Sequence, residues 1–269
     1  MASYLFARQL LRDVRRNRAM IQALAMRDLQ SRYIGTLGGM LWALAHPLAI
    51  VVVFYFVFAV GFRAQAPVNT PFILWFVCGL VPWFFFSEVL GSITHSVTNN
   101  AHLVKKTVFP TEVLPLVHLL SGLIPHAIFL GVLAVVMALY QVPLVPERLL
   151  FVYYLLCTCV LLLGLGWLLS ALQVFYRDIG QALTILLNLW FWSTPIVWSP
   201  QIMPPAIAEW LVYNPMNYVV QGYRSALIFP TVTWPPLEQT LVFWSFALVL
   251  LVLGAFVFRR LKAEFVDVL

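Results

Sequence analysis

Ten carboxylates, five histidines and three cysteines are the groups with which this chain of 269 residues can do chemistry, and their spacing arranges few of them for it. A sugar-transferring or lipid-modifying enzyme in a membrane would want a cluster of carboxylates or a metal site facing the surface; the acidic residues are dispersed, with no pair of carboxylates in any loop. An ion-coupled carrier would need an ionisable group at mid-membrane. Glu88 and Glu112 instead sit near the ends of apolar stretches, and His46, His118 and His126 are scattered without a carboxylate relay, so each histidine reads as a structural hydrogen-bonding group. Cys78, Cys157 and Cys159 lie inside apolar runs at a spacing that suits neither zinc nor a disulfide framework, and read as buried thiols. Lys105 and Lys106 precede Thr107, but no glycine-rich loop supplies backbone amides for a phosphate, so the chain is not expected to hydrolyse ATP by itself.

The elements that carry these residues are apolar. Hydrophobic residues make up 62% of the chain and charged ones 10%, more apolar surface than a soluble core can hide. Six charge-free stretches, 33–62, 64–87, 113–146, 149–176, 179–208 and 239–258, each reach the ~20 residues of a spanning helix, which predicts an all-α integral membrane protein with six transmembrane helices. With both termini in the cytoplasm, thirteen basic residues fall inside and only Arg63, Arg148 and Arg224 outside, as the positive-inside rule requires. The net charge of +6 is then explained by topology and anionic headgroups, with no need of a nucleic-acid partner. No short apolar core with a small-residue cleavage site opens the chain, so the first span is expected to direct insertion and nothing to be removed. Before it, Phe6, Leu10 and Val14 share one helical face and Arg8, Arg12 and Arg15 the other, predicting an amphipathic helix on the membrane surface, against a partner subunit, or both.

The first span begins among Gly35, Gly38 and Gly39, which permit close helix approach. Residues 95–110 form a polar segment long enough for a short surface helix, closed by Pro110. Tyr176, Arg177 and Asp178 make a tight inside turn. Seven prolines punctuate 200–237, within which Asn214 and Pro215 start a helical pattern as N-cap and first-turn pair, predicting a re-entrant or surface-lying element on the external side. Irregular backbone there must be satisfied by protein or water, so packing against the fifth and sixth spans is expected. No internal repeat is visible, which argues against an inverted-repeat carrier.

Five ordered motifs, RDLQSRYIGTLGGMLWALAHPL (Arg27 to Leu48), LVKKTVFP (Leu103 to Pro110), FYRDIGQ (Phe175 to Gln181), TPIVW (Thr194 to Trp198) and NPMNYVVQGYRSAL (Asn214 to Leu227), together resemble the transmembrane subunits of type 2 ABC exporters, most of all the O-antigen and polysaccharide export group. The resemblance implies a homodimer of six-helix subunits in the bacterial inner membrane, each bound by a separate ATPase subunit that holds ATP and Mg, with no cofactor in this chain. It implies residues 1–32 as interface helix and lead-in, 33–260 as transmembrane domain and 261–269 as a cytoplasmic tail. Within the domain, about 95–109 would be the coupling helix and about 200–237 the external gate helices. His102, Lys105, Lys106, Phe109, Arg177 and Asp178 would contact the ATPase, the lysines serving otherwise as positive-inside anchors. Arg27, Arg32 and Tyr33 would meet a polyprenyl-pyrophosphate-linked polysaccharide at its entrance, the arginines serving otherwise as topology anchors. Tyr218, Tyr223 and Arg224 would belong to the gate, or to a structural plug.

Sugar C–H faces pack on aromatic rings. Trp190, Thr194 and Trp198 on one face of the fifth span, and Phe54 and Phe58 on the first, are therefore the candidate substrate track; an aromatic belt facing lipid is the alternative. A capsular polysaccharide, teichoic acid, drug or lipid as cargo stays open, with a membrane-embedded glycosyltransferase as the distant alternative.

Overall fold

Ile21, Ala25 and Leu29 recur every fourth residue in the first described helix, α1 (Arg18–Tyr33), and that spacing turns all three to one side. They pack on Val113 and Val117, while Arg18 and Arg27 stay exposed. In the computed structural model, residues 12, 14–33, 38, 39, 41–63, 66, 70–105 and 109–269 are described, and the helices among them form a bundle without strands. The expected amphipathic helix, including Arg8, lies mostly outside the described residues, of which 12 and 14–16 are helical. Gly35 and Lys106 also lie outside them.

Among the described residues, four helices are long and apolar enough to cross a membrane: Phe72–Thr94, Thr111–Leu139, Pro146–Phe175 and Leu237–Val268. The first and fifth apolar stretches depart from the expected helix lengths, helix beginning only at Leu41 in the first and ending at Ser193 in the fifth. Each departure has a local cause. Gly38 and Gly39 form a turn rather than a helix contact, with Gly39 at φ +48°, and α2 (Leu41–Tyr55) starts only after it. A π-helical stretch, Phe56–Gly61, continues α2. In the fifth stretch, Thr194 precedes Pro195 and is pushed out of the helical region, to φ −100° and ψ 132°. The helix therefore ends at Ser193 and not at residue 208.

At the centre stands α3 (Phe72–Thr94), buried around most of its circumference, as expected of a helix apolar on all sides. After His95 come two single turns, α4 (Ser96–Asn99) and α5 (Ala101–Val104), in place of one continuous surface helix. Around α3 pack α6 (Leu114–Leu139), α7 (Phe151–Phe175) and α8 (Ile179–Ser193). Beyond α8, short turns and α9 (Pro205–Ala208) lead to α10 (Pro215–Leu227), whose Met216, Val219, Val220 and Tyr223 are buried in the main core. The last long helix, α11 (Leu237–Leu261), lies on α7 with backbone in contact: a Cβ on Gly254 would stand 2.1 Å from the Gly164 carbonyl oxygen. The tail folds back, with Phe265 of α12 (Phe265–Val268) buried beside Phe258 and Lys262 Nζ 2.7 Å from Glu112 Oε2.

Candidate functional site

The helix ends divide the candidate residues between two regions. One holds most of the basic residues: the ends of α1, α3 and α11, the turns α4 and α5, and the connection between α7 and α8. There His102, Lys105, Arg177 and Asp178 are exposed, and Phe109 is half-buried between Val104 and the α1 cluster. Gln173 Nε2 donates to the Arg177 carbonyl at 3.1 Å, bracing the turn. Gly180 sits so close to His95 that a Cβ would lie 2.5 Å from its Cε1. That approach sets the α7–α8 turn beside the start of the α4–α5 segment.

Of the entrance residues, Arg27 is exposed and Tyr33 ends α1, its side chain outside the described set. Arg32 has a partner that the sequence reading passed over. Asp28 Oδ2 accepts from Arg32 Nη2 at 2.7 Å and from Ser121 Oγ at 2.5 Å, and its Oδ1 lies 3.1 Å from His118 Nδ1. The expected lack of any histidine–carboxylate relay is thus corrected: α1 brings Asp28 onto His118 of α6. Burial pushes the Asp28 carboxyl up, but hydrogen bonding and charge from His118, the Ser121 hydroxyl and the Arg32 guanidinium outweigh it and hold the group well below the usual carboxylate range. Arg32 four residues after Asp28 was the available signal; His118 and Ser121 have none short of the fold.

At the other end lie the aromatics. Phe54 stacks on Phe58, with centroids 5.9 Å apart, and also touches Phe191 and Trp192 of α8. Trp190, Thr194 and Trp198 do not share a helix face, because the helix has ended; Asn214 gathers the first two instead. Its Oδ1 accepts from Trp190 Nε1 at 2.8 Å and its Nδ2 donates to Thr194 Oγ1 at 2.9 Å, while the same Oδ1 caps α10 through the Met216 amide at 3.0 Å. Trp198 Nε1 donates to the Trp192 carbonyl at 3.0 Å. Trp190, Trp192, Trp198, Trp210 and Tyr213 then wall a cavity of about 560 Å³ with Asn214 and Ser193 as its polar groups. Trp210 and Tyr213 were not singled out from sequence, since they belong to a proline-broken stretch without periodicity.

The three residues assigned to the gate are buried. Tyr218 OH is 2.9 Å from Tyr153 OH and 3.1 Å from Thr240 Oγ1, and Tyr223 OH is 3.2 Å from His126 Nε2. Arg224 is fully buried. Its Nε donates to the Trp75 carbonyl at 3.1 Å, Nη1 to that of Pro195 at 2.7 Å and Nη2 to that of Ile196 at 2.8 Å, and the guanidinium lies 3.5 Å from the Trp75 ring centroid. A Cβ at Gly79 would enter this space, 2.5 Å from Nη2. Arg224 thus satisfies the carbonyls set free where α8 unwinds. Arg148, the other arginine expected in an outside loop beside Arg63, is buried too and donates to the carbonyls of Pro143, Ala226 and Leu227, the last two at the end of α10.

Residues 19–228 match the family described as ABC-2 type transporter. Among curated proteins, the O-antigen export system permease protein RfbA of Klebsiella pneumoniae is 28% identical over 254 residues, covering 90% of this chain and 92% of the relative. The protein of the same name from Myxococcus xanthus is 29% identical over 96% of this chain and 98% of its own. The polysialic acid transport protein KpsM of Escherichia coli is 22% identical over 77% of this chain and 81% of its own. With four membrane-length apolar helices among the described residues and a family match over most of its length, the chain is a multi-pass membrane protein that belongs to the ABC-2 type transporter family.

Proposed function

We propose that this chain is the permease subunit of an ATP-driven exporter that moves a lipid-linked, O-antigen-like polysaccharide out of the cytoplasm across the bacterial inner membrane. The aromatic cavity beside Asn214 carries the reading, in a chain whose relatives are named for O-antigen export. Indole and phenol rings offer faces for sugar C–H groups, and the Ser193 hydroxyl, which donates to the Leu189 carbonyl, can still accept a hydrogen bond from a sugar hydroxyl, while Asn214 holds the wall together. Because such contacts are individually weak and alike from sugar to sugar, a glycan can step across them without a deep binding minimum.

In this reading, two copies of the chain pair and each rests on one ATPase subunit, which binds ATP and Mg. All six apolar stretches cross the membrane, both termini are cytoplasmic, and the basic end faces the ATPase. The apolar flanks that α2 and α8 leave uncovered, including Trp42, Val53, Ile185 and Leu189, support a second copy beside them. His102, Lys105, Lys106, Phe109, Arg177 and Asp178 transmit ATPase closure, and Arg27, Arg32 and Tyr33 receive the pyrophosphate-linked end of the substrate. Phe54, Phe58, Trp190, Thr194 and Trp198 border its path, and Tyr218, Tyr223 and Arg224 hold the gate helix in register. ATP favours one of two dimer arrangements. Capsular polysaccharide is the second reading, favoured by the likeness to the polysialic acid transport protein. Reconstitution with the ATPase subunit tests the proposal: a polyprenyl-pyrophosphate-linked glycan should raise ATP turnover, and an ATPase that fails to bind the chain refutes it.

A further inference from the structure

Where the α6–α7 connection meets the end of α10, the chain buries an arginine that no carboxylate among the described residues pairs with. Arg148 is 5% exposed, and the carboxylates of Asp28 and Glu112 pair elsewhere, with Arg32 and His118 and with Lys262. Its Nε and Nη1 are spent on the carbonyls of Pro143, Ala226 and Leu227, and among the described residues Nη2 has no hydrogen-bond partner. Beside it opens a cavity of about 540 Å³, lined by Leu130, Leu133, Met137, Phe151 and Leu227, with Arg148 as its charged member. The rim residues Leu144 and Leu149 are exposed, so the cavity is a groove open to the side of the bundle.

An unbalanced cation in apolar surroundings is costly, and a charge-assisted bond to an anion relieves that cost. A groove whose walls are almost wholly hydrocarbon selects which anion. A free phosphate would find one donor and gain nothing from the leucines, whereas a phospholipid satisfies both halves, with its acyl chain along α6 and its phosphate at the guanidinium. The place agrees, because a connection between two spanning helices lies at the depth where headgroups meet hydrocarbon. We propose that the groove between α6 and α7 is a binding site for one phospholipid, an acyl chain on Leu130, Leu133 and Met137 and the phosphate on Arg148 Nη2. The lipid bridges the α6–α7 connection to the carbonyl end of α10, so it fastens the re-entrant helix to the bundle.

The test uses the full chain in phosphatidylglycerol nanodiscs containing a trace of phosphatidylglycerol with a diazirine in one acyl chain. After photolysis, adducts should concentrate on residues 130–137 and 144–151, at least five-fold above Leu248 and Val249, which are exposed on α11. The same diazirine chain on diacylglycerol, which lacks the phosphate, should show no such enrichment. Arg148→Gln should bring the groove down to the α11 level. Because that variant also loses carbonyl contacts, Ala134→Trp fills the exposed wall of the groove with Arg148 intact and should abolish the enrichment in a chain that elutes as wild type. Uniform adducts, equal enrichment with diacylglycerol, or enrichment that survives Ala134→Trp would each overturn the proposal.

Discussion

Replacing Arg224 by Met tests the physical account of the re-entrant region most sharply. The side chain makes three hydrogen bonds to backbone carbonyls, at 2.7, 2.8 and 3.1 Å, and stacks on Trp75. Hydrogen bonds from a charged donor contribute about 1.5–3 kcal/mol each, so the three together give roughly 4.5–9 kcal/mol. Against that stands the cost of burying the guanidinium, several kcal/mol, which the substitution relieves. Methionine refills much of the volume and leaves the carbonyls of Pro195 and Ile196 without that donor, at about 1–3 kcal/mol apiece, while the Trp75 carbonyl stays in the α3 ladder. A net loss of about 3–5 kcal/mol follows, which for a chain of this size corresponds to roughly 6–20 °C in melting temperature. Arg224→Lys keeps the charge but loses the planar fork, and should fall between. Monodispersity of the purified protein after heating, followed by size-exclusion chromatography, reads the shift, with the exposed Arg63→Met as control. An Arg224→Met melting temperature within 2 °C of wild type would refute the claim that this arginine satisfies the unwound end of α8.

Other outcomes are equally concrete. Gly254→Ala places a methyl against the Gly164 carbonyl, where neither backbone can yield, and should cost about 1–3 kcal/mol or more in thermal stability. The Asp28 carboxyl is held below its ordinary value, so its stabilising contribution is complete above the unfolded pKa of about 4 and is lost as pH falls through the lower folded value. Wild type should therefore exceed Asp28→Asn in melting temperature near pH 5 by a margin that is lost under stronger acid. Trp210→Ala removes an exposed ring from the cavity wall and should raise the glycan concentration for half-maximal ATPase stimulation roughly 2- to 10-fold, with no change in melting temperature. Lys105→Glu combined with Lys106→Glu should lower glycan-stimulated ATP turnover while leaving the folded chain intact; normal coupling would remove these lysines from the ATPase contact.

The sequence made the long helices legible because their apolar runs are uninterrupted, and α6, α7 and α11 follow those runs closely, while α3 begins later than its run and continues past Glu88 to Thr94. It made the start of α10 legible because Asn214 and Pro215 act locally, and the cap forms as expected. Hydropathy alone overextended the first and fifth stretches, since the Gly38–Gly39 turn and the Thr194–Pro195 step break a helix without lowering its apolar character. The three cysteines are free, with Cys78 and Cys157 buried as expected and Cys159 half-buried. The roles of two arginines were least legible. Placed on the outer side by charge counting, Arg148 and Arg224 are buried and serve as donors to carbonyls that two helix ends leave open, a role visible only once α10 folds back into the bundle. The Asp28 cluster was hidden for the same reason, because its partners come from a different helix.

The measurement that bears most directly on the central claim is transport itself. The chain and its ATPase subunit, reconstituted in sealed vesicles with the ATP sites outward, should carry a radiolabelled polyprenyl-pyrophosphate-linked glycan into the lumen, where an added glycosidase cannot reach it. Protection that requires both ATP and the permease is the predicted result. Glycan that stays fully cleavable while the assembled complex hydrolyses ATP would contradict polysaccharide export.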